Sequence, residues 1–187
     1  SILYSAKSGA SERYELALNG EDENLHVLLG LSRSRLTEGN CAAAELALER
    51  ARKVQPFDSE LKLLTYKTVL CAGQTPKAIE TDPIAPKELK PYYDLIRLEI
   101  LYTQKKLKEM EGLIEQMKEV GIPEALYWQF KMHEANPSAA LVYAERYVDA
   151  CKGITTLQRR NFRLEPKLCS RVEEVTGFMS KNEGARL

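Results

Sequence analysis

The sequence predicts an all-α fold built from antiparallel helix pairs, and three observations support that prediction. Leucines recur at helical spacing from Leu25 to Leu36, as in an amphipathic helix. A glycine returns after 34 residues, as Gly39 and then Gly73. No segment shows the strict alternation of polar and apolar residues that indicates a half-buried strand, so we expect no β-strand.

Length and charge limit the classes of function. The chain has 187 residues, of which 44% are hydrophobic, so it can form a core and is not expected to be disordered. Lys and Arg total 27, as do Asp and Glu, so the chain as a whole is not drawn to nucleic acid or to an anionic membrane. No apolar run is long enough to span a bilayer, and we predict no membrane insertion.

The four cysteines are Cys41, Cys71, Cys151 and Cys169. None belongs to a Cys-x-x-Cys pair and the chain has only two histidines, so we expect neither a metal site nor another cofactor. We interpret the cysteines as reduced and mostly buried thiols of a cytoplasmic or nuclear protein. Their even number leaves an exported, disulfide-bearing form open.

The first complete hairpin is predicted over residues 25–56, and Glu15 to Leu18 are expected to close an incomplete hairpin before it. Gly39-Asn40 reverses the chain after the leucine-rich helix, because glycine tolerates the backbone angles that end a helix. The next helix carries small residues that allow two helix axes to approach closely. Pro56 cannot continue that helix, and either Asp58 or Ser59 is expected to cap the following one. The small stripe consists of Ala43, Ala44, Ala47, Leu48 and Ala51.

Later units are predicted over residues 57–90, 91–122 and 123–152, within one domain that covers residues 1–187. The unit 57–90 is irregular, since its helix from Ser59 to Ala72 precedes a proline-rich crossover between Thr81 and Pro86. In the last unit, Asn136-Pro137 starts a helix that Gly153 ends. Residues 153–187 are predicted to form a C-terminal cap, with a last helix from Pro166 to about Ser180.

These hairpins resemble the tetratricopeptide repeat (TPR). The residues at the family's large, small and turn positions are Leu28, Leu31, Ser32, Gly39, Ala44, Leu48, Ala51 and Pro56. Gly73 and Ala78 continue the pattern, and later units keep Leu95, Leu98, Tyr102, Ala140, Ala144 and Tyr147. The resemblance implies a right-handed α-solenoid whose first helices line a concave surface, and a scaffold or adaptor that binds a partner peptide or helix, alone or as a subunit of a larger complex.

In this register, six residues are predicted to face the concave surface: Leu29, Arg33, Leu63, Lys67, Arg97 and Gln104. Arg33, Lys67 and Arg97 would form a basic stripe suited to an acidic peptide or a terminal carboxylate. Ordinary solvated helix faces are the alternative. Some TPR proteins hold the acidic tails of heat-shock chaperones with a lysine and an asparagine. Leu29 and Arg33 occupy those positions here, which argues against such tails as ligands.

Two further features are candidates for binding. Trp128 either packs between repeats or anchors a partner. A secondary basic patch gathers Arg159, Arg160, Arg163 and Lys167 around Phe162. Basic residues with an interleaved aromatic can bind single-stranded nucleic acid or an acidic protein surface, and the neutral overall charge argues against nucleic acid.

No pattern in the sequence indicates catalysis. There is no phosphate-binding glycine loop, no Gly-x-Ser-x-Gly and no His-Glu-x-x-His. His133 lies beside Glu134, but neighbouring residues on a helix point to different faces. We therefore predict a non-catalytic protein-binding scaffold, with a nucleic-acid-contacting module that uses residues 159–167 as the alternative.

Overall fold

The computed structural model describes residues 2–18, 23–76, 87–117, 120–182 and 184. Within these ranges the chain forms ten helices and no strand, which confirms the predicted all-α class. The helices are α1 (Ile2–Leu18), α2 (Leu25–Thr37), α3 (Cys41–Val54), α4 (Ser59–Cys71), α5 (Lys90–Thr103), α6 (Leu107–Met117), α7 (Pro123–His133), α8 (Pro137–Lys152), α9 (Thr156–Asn161) and α10 (Val172–Lys181). None of the helices within the described ranges combines the length and apolarity needed to cross a lipid bilayer.

The chain divides into two compact units, Ser1–Tyr93 and Asp94–Leu187. Unit 1 contains α1 to α4, unit 2 contains α6 to α10, and α5 crosses the boundary. The single repeat domain over residues 1–187 stays a prediction. The predicted crossover between Thr81 and Pro86 lies outside the described residues.

Unit 1 is built around the predicted first hairpin. Helix α2 packs against α3 and α4, and α3 packs against α4. Ala44 and Ala51 of α3 are fully buried, as expected for small residues between closely packed helices. Helix α1 packs against α2. The approach is close at Gly30, where a β-carbon would collide with the ring of Tyr14. The core cluster consists of Leu28, Leu29, Leu36, Ala44, Leu48, Ala51, Leu61 and Leu64.

Helices α2, α4 and α5 end in the same type of turn, and glycine occupies the left-handed position in only two of these three turns. Gly39 and Gly73 both have a φ of 75°, and Lys105 has a φ of 58°. In each turn this residue donates its N–H to the carbonyl three residues earlier, and the next residue donates to the carbonyl five residues before itself. This is the Schellman arrangement that ends helices. The turn spacing predicted from Gly39 and Gly73 therefore continues at Lys105, two residues earlier than a strict 34-residue interval.

Two helix starts follow the predicted capping chemistry. Asp58 accepts a hydrogen bond from the Leu61 N–H at 2.8 Å, so Asp58 rather than Ser59 caps α4. Asn136 accepts from the Ala139 N–H at 3.4 Å, with Pro137 in the first turn of α8. Gly153 follows the last residue of α8, as predicted.

In unit 2, α7 packs against α6 and α8, and α8 packs against α10. Met110, Ile114 and Met117 of α6 are buried, and their spacing of three and four residues places them on one helix face. Ala140 and Ala144 of α8 are fully buried, which suits a close helix pair. Phe130 of α7 contacts Phe178 of α10 edge to face, with ring centroids 5.0 Å apart.

All four cysteines are paired, so the prediction of reduced thiols is wrong for this structure. One disulfide joins Cys41 at the start of α3 to Cys71 at the end of α4. The other joins Cys151 near the end of α8 to Cys169 in the turns before α10. Each bond lies within one unit, and the Cα atoms are 5.6 Å apart in both. The partners of each cysteine pair are far apart in sequence, so their spacing did not indicate the pairs that the fold brings together.

The C-terminal segment differs from its prediction. Helix α10 begins at Val172 rather than Pro166, and residues 162–171 form consecutive turns instead. Cys169 has a φ of 56°, in the left-handed region, so a helix cannot continue through it. The short helix α9 was also not predicted, because a helix whose side chains are all outside the core has no apolar period.

Replacing Lys105 by glycine should stabilise the chain, because glycine adopts a positive φ without the steric cost of a β-carbon. We expect the free energy of unfolding to rise by about 1 kcal/mol in a chemical denaturation followed by circular dichroism. Gly39→Ala is the matched control. Nothing lies within 4 Å of a β-carbon at position 39, so only the backbone is strained and stability should fall by about 1 kcal/mol. An unchanged or lower stability of Lys105→Gly would contradict the left-handed turn.

Candidate partner-binding surface

The secondary basic patch lies in a loop closed by a disulfide. We call residues 151–169 the basic loop: Cys151 and Cys169 are its ends, joined across 18 positions of sequence. It contains five basic residues and one acidic residue, a net charge of +4 in a chain whose net charge is zero. The predicted cations Arg159, Arg160, Arg163 and Lys167 all lie inside it. The covalent closure thus encloses the whole patch.

Local hydrogen bonds form the helix within this loop. Thr155 accepts a hydrogen bond from the Gln158 N–H at 3.2 Å, and the Gln158 side chain accepts one from the Thr155 N–H at 2.8 Å. This reciprocal capping box satisfies two of the N–H groups that a helix start leaves without intrahelical partners. No residue of α9 is buried. The helix therefore presents its side chains to solvent rather than to a core.

The four predicted cations have no internal counter-charge. Arg159, Arg160 and Arg163 are exposed and Lys167 is half-buried. None of the four side chains forms a salt bridge with any part of the chain that the structure describes. Unpaired, solvated cations close together in sequence are available to an anionic partner.

The C-terminal end of the loop is anchored to unit 2. Leu164 and Glu165 are buried, with 7% and 8% of their surface exposed. The Lys167 N–H donates to Glu165 Oε1 at 3.1 Å. The Cys169 N–H donates to Oε1 of Glu124, in the first turn of α7, at 2.6 Å. The loop therefore has a fixed base and an exposed basic side.

Glu124 is a buried acid beneath this base. It is 1% exposed, and its second oxygen makes no hydrogen bond within the described chain. Burial raises the pKa of Glu124 to about 7, helped by the nearby Glu165 and opposed by the Cys169 hydrogen bond and by Arg171. Sequence reasoning missed this residue, because an acid in a first helical turn is usually explained by the helix dipole.

Trp128 lies inside unit 2 rather than on an open surface. It is 6% exposed, with ring centroids 5.5 Å from Tyr102 and 5.3 Å from Tyr127. The guanidinium of Arg171 covers both Tyr127 and Trp128, at 4.3 Å and 5.4 Å from the ring centroids. This position fits packing, the first of the two interpretations. Arg171 belongs to the segment between the basic loop and α10, and its contact with these two rings holds that segment against α7.

The predicted concave face is altered by burial and pairing. Leu29 and Leu63 are 2% and 0% exposed, so their placement on an exposed face is wrong. Both belong to the broad apolar stripes of α2 and α4, which pack against other helices. Because the leucine stripe covers more than one helix face, periodicity alone does not show which leucine points outward.

The polar members of that predicted face lie in two different units. In unit 1, Arg33 pairs with Glu60 and Lys67 is half-buried. In unit 2, Arg97 pairs with Asp94 at 2.9 Å and Gln104 is exposed. Their role in partner binding stays a prediction. The charge of Arg33 and Arg97 is nevertheless balanced within the chain, unlike that of the basic loop.

Unit 1 also contains an open groove of about 460 Å³, which lies between α1, α2 and α3 and is lined in part by Leu31. The two arginines among its described lining residues are balanced by internal acids: Arg35 pairs with Glu15 and Arg50 pairs with Glu23. The hydrogen bond that Arg35 donates to Glu15 is the main cause of a raised Arg35 pKa. The arginines described in this groove are therefore already paired and offer less to an anionic ligand than the basic loop does.

His133, the histidine that the sequence places beside Glu134, packs against an aromatic ring. His133 stacks on Tyr143, with the ring planes 12° apart and the centroids separated by 4.9 Å. Among the described residues, no three or more His, Cys, Asp or Glu side chains lie together in a group that could hold a metal ion. The arrangement of His133 is that of a packed aromatic side chain.

The chain matches no protein-family model, no curated protein and no solved structure. Similarity therefore assigns neither a family nor a function. The basic loop has to be interpreted from its own geometry and charge.

Glu124→Gln should remove a pH dependence of stability. The unfolded chain releases this proton near the ordinary pKa of 4.5, whereas the folded chain keeps it up to about pH 7. The folded state binds more protons in this window, so the free energy of unfolding falls as pH rises from 4.5 to 7. At pH 8 we expect the variant to be more stable than the parent by up to about 3 kcal/mol, with little difference at pH 4.

Urea denaturation between pH 4 and pH 8, with both disulfides intact, measures this effect. Glu111→Gln, at an exposed acid of α6, is the control and should keep the parental pH profile. A parental profile in Glu124→Gln would show that Glu124 is ionised in the folded chain at neutral pH.

Proposed function

We propose that this chain is a non-catalytic scaffold of TPR-like hairpins that binds an acidic segment of a partner protein through the basic loop. The observation that carries the proposal is the cluster of four cations without an internal partner, held inside a disulfide-closed loop. An acidic segment supplies the missing counter-charges. Arg159, Arg160 and Arg163 suit carboxylates, because a guanidinium can donate two parallel hydrogen bonds to one carboxylate.

The scaffold part of the proposal is supported by the packing within unit 1. Helix α2 contacts both its hairpin partner α3 and the next helix α4, as stacked hairpins do. The recurring turn at Gly39, Gly73 and Lys105 places a hairpin reversal at intervals close to the TPR length. A right-handed α-solenoid with a concave surface is the continuation of this pattern that we propose.

The surroundings of the patch favour a protein over a nucleic acid. Leu157 in α9 is 67% exposed, next to the exposed arginines, and offers the apolar contact that protein interfaces contain at their centre. Single-stranded nucleic acid instead needs exposed aromatic faces on which bases stack. Phe162, the aromatic residue in the patch, is half-buried.

Contact with nucleic acid is the second candidate function. The loop's charge of +4 and its three arginines are compatible with phosphate binding. This function would need Phe162 to be accessible to a base. The same variants test both candidates, because a nucleic acid and an acidic peptide are distinct probes.

The disulfides also bear on location. Cytosolic thiol systems keep most cysteines reduced, whereas disulfides persist in exported proteins. All four cysteines are paired in this structure. We therefore favour the exported form over a cytoplasmic or nuclear protein.

Charge reversal at Arg159 and Arg160 should weaken binding of a fluorescent peptide of 20 glutamates. The double variant replaces two attractions by two repulsions, each worth a few tenths of a kcal/mol to about 1 kcal/mol at an exposed site, so we expect about a tenfold loss of affinity. Parental binding should weaken as salt rises, because solvated charges are screened. Fluorescence anisotropy at two salt concentrations measures both effects.

The matched control is Lys53→Glu with Lys108→Glu, which makes the same change in net charge at exposed sites outside the loop. It should keep most of the affinity. Arg33→Glu with Lys67→Glu tests the predicted concave face, and a larger loss there would move the site to unit 1. Tighter binding of a 20-mer of single-stranded thymidine than of the peptide would favour the nucleic-acid function.

A further inference from the structure

We infer that the Cys151–Cys169 disulfide is a redox gate for the basic loop: the loop binds its acidic partner when the bond is closed and loses affinity when the bond is reduced. The inference rests on the proposed function of that loop. It adds regulation by redox state to the binding role that the charge of the loop supports.

The first argument is the position of the bond. Its two sulfur atoms close the segment that contains all four unpaired cations. Between the two cysteines, the buried residues are Leu164 and Glu165, and both are close to Cys169 in sequence. Helix α9 has six residues and no buried side chain, so its own capping box is too weak to hold it in place. The C-terminal end of the loop is also held by Leu164 and Glu165 and by the Cys169–Glu124 hydrogen bond, so the disulfide matters most for the N-terminal part that contains α9, which has no buried anchor.

The second argument is the contrast with the other disulfide. Cys41 and Cys71 join two helices, α3 and α4, that also pack against each other. Leu48, Ala51 and Leu61 belong to the core that these helices share with α2. Packing should keep α3 and α4 together without the covalent bond. Opening this bond is thus expected to affect global stability but not the arrangement of the binding surface.

Opening the gate requires a dithiol reductant. One thiolate of the reductant attacks a sulfur of the Cys151–Cys169 bond and forms a mixed disulfide, and the displaced cysteine leaves as a thiolate that takes up a proton. The second thiol of the reductant then attacks the mixed disulfide and releases the other cysteine. Two electrons pass to the protein, which gains two thiols, while the reductant becomes a disulfide.

Reduction leaves every charge in the loop unchanged and removes only its fixed conformation. A flexible loop must be ordered when it binds, which lowers affinity. We expect Cys151→Ser with Cys169→Ser to bind the 20-glutamate peptide about tenfold more weakly than the parent. Cys41→Ser with Cys71→Ser, the matched control, should change affinity less than about twofold.

Linkage gives a second measurement on the unmodified chain. If closing the bond raises peptide affinity tenfold, saturating peptide must favour the closed form by the same factor. For this two-electron couple, a tenfold change lowers the reduction potential of Cys151–Cys169 by about 30 mV. Dithiol redox titration with alkylation and peptide mass mapping measures each disulfide separately. The potential of Cys41–Cys71 should not move.

The outcomes separate the inference from the proposed function. Equal peptide affinity of the parent and of Cys151→Ser with Cys169→Ser overturns the gate, while loss of binding on Arg159→Glu with Arg160→Glu still supports the docking site. Retained binding in the arginine variant overturns the docking site itself. If circular dichroism shows that the serine variant is unfolded, the titration decides, and an unchanged potential under saturating peptide overturns the gate. Re-oxidation of the reduced parent should restore affinity.

Discussion

The presentation of the basic loop depends on one covalent bond, between the end of α8 and the turns before α10. A helix as short as α9 is not stable by itself in water, and no burial of its side chains compensates. The Cys151–Cys169 bond limits the conformations open to the connecting chain, so that local capping is sufficient. Arginines can then be displayed on an ordered segment without contributing to the core. The loop therefore combines exposed, unpaired cations with an order that the crosslink supplies.

The buried carboxyl of Glu124 shows how the base of this loop is satisfied. Its Oε1 accepts the Cys169 N–H, a backbone group in the turns before α10. An ionised carboxylate in this position would lie near Glu165 in an environment that solvates charge poorly, which is why burial holds the pKa near neutrality. A neutral carboxyl keeps the hydrogen bond and avoids most of the desolvation cost. The loop is thus basic on its outer side and rests on a buried carboxyl group inside.

Most of the helices, but not α9, could be predicted from the sequence because local signals specify them. Gly39 and Asn136 determine a turn and a cap through backbone chemistry that neighbouring residues supply. Tertiary features were less predictable. Leu63 was expected on an exposed face but packs inside unit 1, because a broad leucine stripe has more than one apolar side. The disulfides could not be deduced either, since four cysteines allow three connectivities and spacing does not select among them. Lys105 adopts the positive φ that glycine usually adopts at the end of a helix, so the residue type does not reveal this turn in the sequence.

The order in which the cysteines pair has a consequence for biosynthesis. The first pairs with the second and the third with the fourth, and neither bond joins the two units. A chain that emerges N-terminus first can therefore finish its first crosslink before the last two cysteines have been made, since domains generally fold as units during synthesis. Nearest-neighbour pairing also reduces the need to reshuffle wrong bonds by an isomerase. Oxidative maturation of each half can proceed without waiting for the other.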